Sequence, residues 1–449
     1  MNLKRDKFLI VGISKSGVGA TELLLKRGAK CYIYDDNDND SVKRARETLS
    51  AKGAVAVSAD ELEETIETAD IVVLSPGVAI DHEIPVKAKR AGKRIIGELE
   101  LASLFCQNPI IAVTGTNGKT TTCSLIDCIL KGAGIDCVLC GNIGTPLSSV
   151  LDRLKEDSVV VAEVSSFQLE TVSKFTPHIA VVTNVTPDHL ARHYNMENYI
   201  FVKSRILQCQ RESEYAVLNY DDPIVRKMAE KAKSKVVYFS VKSEVDGAYL
   251  SGEKILYKGK YVMDSSAVQI GGQHNIENVL AAVCAAEIMG VTEEKIAETI
   301  LGFKGVKHRI QFVKEIGGVE YYNDSKATNP DASIKAIDSM KRPTVLILGG
   351  KDKGLSFDEL FDKIKKSCVY HVVLTGESRL KMAENAISNG FNAVSMTEDF
   401  VLAIKLAKMI AKEGDAVLLS PACSSYDKFS DFEERGDKFI ETVENLDER

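Results

Sequence analysis

The chain has 449 residues, 45% of them hydrophobic and 27% charged, with a formal net charge of -7. That length exceeds one ordinary core and predicts about three domains, while the acidic balance excludes general nucleic-acid binding as a leading function. No apolar run has the length of a membrane span, so no membrane association is expected.

The N-terminal run KFLIVG is too short for a signal-peptide core. With ISKSGVGATELLLKRG and AKCYIYDD it predicts strand, loop, helix and strand, ending at Asp35 and Asp36. The dinucleotide pattern G-x-G-x-x-G fails at its middle position, where Ser14 stands between Gly12 and Gly17. The middle glycine lets backbone approach a pyrophosphate, so a standard NAD site is not expected. A nucleotide held through Ser16, Gly17 and the helix N-terminus remains open. The stretch ADIVVLSPGV then predicts a strand ending in the turn Ser75-Pro76-Gly77.

The second α/β unit begins near NPIIAVTGTNGKTTT, with strands expected at 110–114, 158–163 and 179–183. The standard phosphate loop is G-x-x-x-x-G-K-[ST]. Here the first glycine position holds Val113, leaving the shorter Gly115-Thr116-Asn117-Gly118-Lys119-Thr120. An apolar strand precedes that loop and a helical pattern follows it. Backbone N–H groups, a lysine and a hydroxyl are all present for phosphate and Mg²⁺. The pair Cys137 and Cys140 lacks a partner pair at zinc spacing, so reduced thiols in a cytoplasmic protein are expected. SVVVAEVSSFQLE places Glu163 at a strand tip, where a carboxylate suits Mg²⁺. HIAVVTNVTPDHLARH places Asp188 and His189 after another strand. MENYIFVKSRILQCQ reads as a helix, and on sequence alone its Lys203 is a surface lysine.

The third unit follows FKGVKHRI, with Gly302 and Gly305 as a hinge. TVLILGG, YHVVLTG and DAVLLSPA are its candidate strands and FDELFDKIKKS a helix. The expected fold class is α/β in three domains: a Rossmann-like first domain, a central P-loop ATPase-like domain with a mostly parallel sheet, and a Rossmann-like third.

Together TGTNGKTTT, AEVSSFQLE and TNVTPDH resemble the Mur ligase family. Its members are ATP-dependent amide-bond ligases of peptidoglycan precursor synthesis, related to folylpolyglutamate synthase. The family's loop is the shortened form, which accounts for Val113. The resemblance covers nearly the whole chain. It implies a UDP-sugar domain at 1–98, an ATP domain at 99–305 and an amino-acid domain at 306–449.

The resemblance implies ATP contacts from Gly115, Thr116, Asn117, Gly118, Lys119, Thr120 and Thr121. Further ATP contacts are implied from Asn275 and Asn278 in GGQHNIENVLAAV, Arg309 in GVKHRIQF and Asp324 in YYNDSKATNPDAS. LILGGKDKG and LLSPACSSYDKFSDFEERGDKF are closest to the branch that adds D-glutamate. That match implies an acceptor pocket of Lys326, Thr328, Lys353, Ser425 and Phe432. Two carboxylates on the acceptor would need such local cations in a net-negative protein. The Asp-Asn-Pro-Arg signature of the diaminopimelate-adding relatives is absent.

UDP-N-acetylmuramoyl-L-alanine would then be held by Lys15, Ser16, Gly17, Asp35, Ser75, Pro76, Gly77 and Asn142. Ser14-Lys15 departs from relatives that often carry Gly-Leu there. The resemblance also implies catalytic roles for Lys119, Lys203, His189 and Lys326. It implies Mg²⁺ ligation by Thr120, Glu163, His189 and a carbamylated Lys203. A carbamate turns that lysine from a cation into an anionic ligand. A cytoplasmic monomer is expected. The alternatives are a folylpolyglutamate synthase-like ligase and a Mur ligase with another acceptor.

Overall fold

The computed structural model describes residues 3–142, 144–270, 272–352, 354 and 356–447. Two compact units are present. The first comprises Met1–Val185, Arg192–Ala267 and Glu277–Leu301; the second comprises Thr186–Ala191, Val268–Ile276 and Gly302–Arg449.

The first unit contains two sheets. The N-terminal sheet is built from β1 (Lys7–Val11), β2 (Lys30–Tyr34), β3 (Val55–Ala56), β4 (Ile71–Leu74) and β5 (Arg94–Gly97). Its spatial order is β3-β2-β1-β4-β5, with every pair parallel. All four residues of IVVL in β4 are buried, as a strand covered on both faces requires. The order reverses between β1 and β4, the switch point at which such sheets receive ligands.

The central sheet holds β6 (Ile110–Thr114), β7 (Cys137–Gly141), β8 (Val159–Glu163), β9 (Ile179–Val182), β10 (Tyr215–Asn219), β11 (Lys235–Ser240), β12 (Gly247–Ser251), β13 (Lys254–Tyr257) and β14 (Lys260–Asp264). Its order is β14-β13-β12-β11-β10-β9-β6-β8-β7. Parallel pairing runs from β7 to β12, and only the β12-β13-β14 edge is antiparallel. One hydrophobic cluster joins both sheets, running from Phe8 and Ile33 through Leu99, Leu101 and Leu147 to Ala112 and Val160. The short helices Glu98–Ser103 and Leu147–Val150 carry that continuity.

Glu100 in the first of these helices is buried. It accepts from the Ser173, Lys174 and Phe175 N–H groups at 3.0 to 3.1 Å and from Ser173 Oγ at 2.7 Å. A buried carboxylate is tolerated when its lone pairs are filled in this way.

The second unit's sheet uses β15 (Gln311–Ile316), β16 (Val319–Asn323), β17 (Thr344–Gly349), β18 (Val369–Thr375), β19 (Val394–Met396) and β20 (Ala416–Leu419). The order is β15-β16-β20-β17-β18-β19, parallel except for the β15-β16 hairpin. Gly317 and Gly318 close that hairpin with φ of 55° and 75°, the conformation a two-residue primed turn demands. No helix among the described residues is long and apolar enough to cross a membrane.

Candidate active site

The short loop lies between β6 and the helix Lys119–Gly132. Gly115 and Gly118 take φ of 148° and 84°. A Cβ on Gly118 would fall 2.2 Å from Asn278 Oδ1, and one on Gly115 would fall 1.9 Å from Thr183 Oγ1. Both glycines are therefore fixed by backbone conformation and by close packing. Asn184 braces the loop from the end of β9. Its carbonyl accepts from Thr116 N–H at 2.8 Å, and its Oδ1 accepts from Asn117 N–H at 2.9 Å. Val113 pairs within the sheet with Glu163 and Val181, so the strand runs on where longer loops already turn.

Five predicted residues converge at the loop's mouth. Thr120 Oγ1 donates to Glu163 Oε2 at 2.6 Å. Asn142 Nδ2 donates to the other oxygen, Oε1, at 2.9 Å. Lys119 Nζ donates to the Gly115 and Thr116 carbonyls at 2.9 and 2.8 Å. Lys203 is only 2% exposed, and its Nζ donates to the Gly115 carbonyl at 2.8 Å while lying 4.7 Å from the Tyr199 ring centroid. The surface placement that sequence alone gives Lys203 is thus corrected: its helix, Met196–Ser204, packs this face against the loop. Thr121 Oγ1 is buried with no hydrogen-bond partner among the described residues.

A hydroxyl and one carboxylate facing each other beneath a helix N-terminus suit Mg²⁺. That ion takes few protein ligands and completes its shell with phosphate and water. Among the described residues no group of three or more His, Cys, Asp or Glu side chains forms a metal cage. The Thr120 hydroxyl and Glu163 carboxylate fit a metal that shares its shell with a nucleotide.

In the N-terminal sheet, Lys15 is exposed, Ser16 half-buried and Gly17 buried at the start of the helix Lys15–Lys26. Asp35 Oδ2 accepts from Ile13 N–H at 2.8 Å, and Ser75 Oγ donates to the Gly12 carbonyl at 2.8 Å. The ends of β1, β2 and β4 are thereby tied into one rim. Asn142, assigned with these residues from sequence, donates to Glu163 and stands at the phosphate-loop mouth.

The second unit holds most of the remaining predicted residues. Asp324 is buried and accepts from Ser420 Oγ at 2.8 Å and from Ile310 N–H at 3.2 Å. Burial pushes its carboxyl up to about 6, against the opposing pull of the Arg309 cation. Burial first, then the Arg309 charge, pushes the His274 imidazole down to about 3. Arg309 lies between two residues in left-handed backbone, His308 at φ 64° and Ile310 at φ 43°, and its Nε is buried without a hydrogen-bond partner among the described residues. Such backbone costs about 1–3 kcal/mol per residue and concentrates at ligand sites.

Lys326 Nζ stands 4.5 Å from the Phe432 ring centroid, so these two predicted acceptor residues meet. Thr328 is half-buried and Ser425 buried. Lys353 lies outside the described residues. His189 belongs to the segment Thr186–Ala191 of the second unit, with φ 54° and its ring 3.5 Å from Asp188 Oδ2. Asn275 falls in the second unit and Asn278 in the first, although one helix, Gln273–Ile288, carries both.

Sequence reasoning missed Arg435. It is 2% exposed, and its guanidinium donates to Ser325 Oγ at 2.9 Å and to the Ser325, Cys423 and Ser424 carbonyls at 2.8, 3.1 and 3.3 Å. It therefore ties the loop carrying Lys326 to the loop carrying Ser425. The available signal was an arginine inside an otherwise acidic helical start, FEERGDK.

Three α/β sheets with a short phosphate loop at the mouth of the central one define a three-domain nucleotide-binding protein. The MurD-like N-terminal domain of Mur ligases matches residues 6–97, the Mur ligase middle domain 113–286, and the Mur ligase glutamate ligase domain 308–423. The chain is 45% identical over 447 residues to the UDP-N-acetylmuramoylalanine–D-glutamate ligase of Pelotomaculum thermopropionicum, covering 98% of each. It is 42% identical over 452 residues to the enzyme of that name from Clostridioides difficile, covering 99% of this chain and 100% of that one. The solved UDP-N-acetylmuramate-alanine ligase of Thermotoga maritima shares the fold at a TM-score of 0.63 and 19% identity, over 98% of this chain and 99% of that one. The chain belongs to the Mur ligase family.

Proposed function

We propose that this protein joins the amine of D-glutamate to the carboxyl of UDP-N-acetylmuramoyl-L-alanine, with ATP converted to ADP and phosphate. The observation that carries the reading is the Thr120–Glu163 contact of 2.6 Å at the mouth of the phosphate loop. Relatives named for this reaction at up to 45% identity support the choice of acceptor, as does the cationic Lys326 beside Phe432.

The residues divide the work. The loop N–H groups and Lys119 hold the triphosphate. The substrate carboxylate attacks the γ-phosphorus, the bond to the β-phosphate oxygen breaks, and an acyl phosphate and ADP result. Such a transfer is governed by positioning and charge stabilisation. Mg²⁺, held by Thr120 and Glu163 when bound, supplies charge neutralisation at the phosphates. The D-glutamate amine then attacks the activated carbonyl, and the tetrahedral intermediate expels phosphate. Lys326, Thr328, Lys353, Ser425 and Phe432 orient the acceptor, and His189 and Lys203 complete the catalytic set. Addition of CO₂ to the Lys203 amine would give a carbamate, turning this cation against the loop into an anion able to hold Mg²⁺. The substrate's nucleotide end is held by the 15–17 and 75–77 segments with Asp35.

The reading keeps the boundaries 98/99 and 305/306. It places the enzyme in the cytoplasm as a monomer. ADP release from ATP with UDP-N-acetylmuramoyl-L-alanine tests it, comparing D-glutamate, L-glutamate and no amino acid. Release dependent on D-glutamate supports the assignment. Release only with a folate and L-glutamate would transfer it to the folylpolyglutamate branch.

A further inference from the structure

Arg192, which none of the assignments above uses, spans two segments far apart in the chain. Its guanidinium binds Glu170 as a fork, Nε to Oε1 at 3.0 Å and Nη2 to Oε2 at 2.6 Å. The same group donates to the Val78 carbonyl at 3.0 Å and reaches the Pro76 and Gly77 carbonyls at 3.4 Å. It also stacks 4.9 Å from the Phe167 ring centroid.

The Glu170 side chain is only 3% exposed and that of Arg192 17%. A pair this buried is tolerated when the fork geometry satisfies both partners and the spare donors find acceptors. Here the spare donors find the carbonyls of one turn. Glu170 caps the helix Ser166–Leu169, which follows directly on β8 and Glu163. The fork is thus a strut between the segment after the metal-binding carboxylate and the 75–78 turn. The turn's other side is open: a Cβ on Gly77 would meet nothing within 4 Å.

We infer that Arg192 is a positioning residue for the UDP substrate, clamping the carbonyl side of the 75–78 turn to Glu170 so that its open side is fixed relative to Glu163. The inference rests on the proposed reading of that turn as a substrate contact. A substrate held at its nucleotide end must still present its carboxylate to the γ-phosphate, so slack in the turn spoils alignment as well as grip. A lysine keeps the charge but loses the fork, and does not substitute.

Calorimetric titration with UDP-N-acetylmuramoyl-L-alanine and, separately, with ATP tests this on wild type, Arg192→Lys, Arg192→Met and Glu170→Gln, each checked for a native circular dichroism spectrum. The expected result is substrate affinity weakened by about tenfold or more in all three variants, with ATP affinity within about twofold of wild type. The Arg192→Lys, Glu170→Gln double variant should be little worse than the worse single change, because the two share one interaction. Unchanged substrate affinity in a folded variant overturns the inference, as does equal loss of ATP affinity, which would mark a general structural role. Should Arg192→Met fail to fold, the lysine and Glu170→Gln variants decide. Wild type that binds ATP but not the UDP substrate would instead remove the reading on which the inference rests.

Discussion

Lys119 and Lys203 donate to the same oxygen, the Gly115 carbonyl, at 2.9 and 2.8 Å. Two ammonium groups drawn onto one acceptor repel each other, and an anion beside them relieves that repulsion. Lys119→Ala is expected to lower ATP affinity and turnover by about 100-fold or more while leaving the melting temperature nearly unchanged. Lys203→Met should lower kcat by about as much with a much smaller change in ATP affinity. Near-normal kcat in the Lys203 variant would remove that lysine from the catalytic set.

Glu163 accepts from Thr120 and Asn142 on its two oxygens. Glu163→Gln retains the shape and can still accept one bond, but it loses the charge proposed to hold Mg²⁺. The Mg²⁺ concentration giving half-maximal ADP release should rise by about tenfold or more, and chelation should abolish release in wild type. An unchanged Mg²⁺ requirement would show that Glu163 is structural.

Asp324 gives a pH signature. Burial raises its folded carboxyl from 3.8 to about 6, so the folded state binds this proton more tightly than the unfolded one. Its contribution is most favourable below the unfolded value and is lost as pH rises through about 6. Asp324→Asn removes that dependence. Its stability relative to wild type should increase between pH 4 and 7, by up to roughly 3 kcal/mol at about 1.4 kcal/mol per pKa unit. The lost acceptor for Ser420 adds only a constant offset. Urea unfolding across that range checks the slope; a flat difference contradicts the burial argument.

Arg435 joins the loops carrying Lys326 and Ser425, the proposed acceptor residues, through neutral partners. Burial pulls its guanidinium down to about 10, yet it stays charged at neutral pH. Arg435→Met leaves several buried acceptors unfilled, each costing about 1–3 kcal/mol, and should raise the KM for D-glutamate by about tenfold with little change in the KM for ATP. Equal changes in both constants would reduce Arg435 to a stability role.

The strands with unbroken apolar runs, IVVL, IIAVT and VVVAE, were legible because strands buried on both faces carry no polar alternation. The phosphate loop was legible because its physics is local: strand, glycines, lysine, hydroxyl, helix. The β12-β13-β14 edge was not drawn from sequence, although Gly252 and Gly259 mark its turns with φ of 59° and 82°. Lys203 on Gly115 and Arg192 on Val78 join residues 88 and 114 positions apart. No periodicity or spacing announces such contacts, since packing between distant segments creates them. Only the family resemblance singled out Lys203, and nothing singled out Arg192 or Arg435.

The central claim is that the loop at Lys119 grips ATP so that a carboxylate receives its γ-phosphoryl group. UDP-N-acetylmuramoyl-L-alanine labelled with heavy oxygen in its carboxyl group tests this directly. Turned over with ATP and D-glutamate, it should deliver one labelled oxygen to each inorganic phosphate released, as attack on an acyl phosphate requires. Phosphate that carries no label while amide forms would contradict the account.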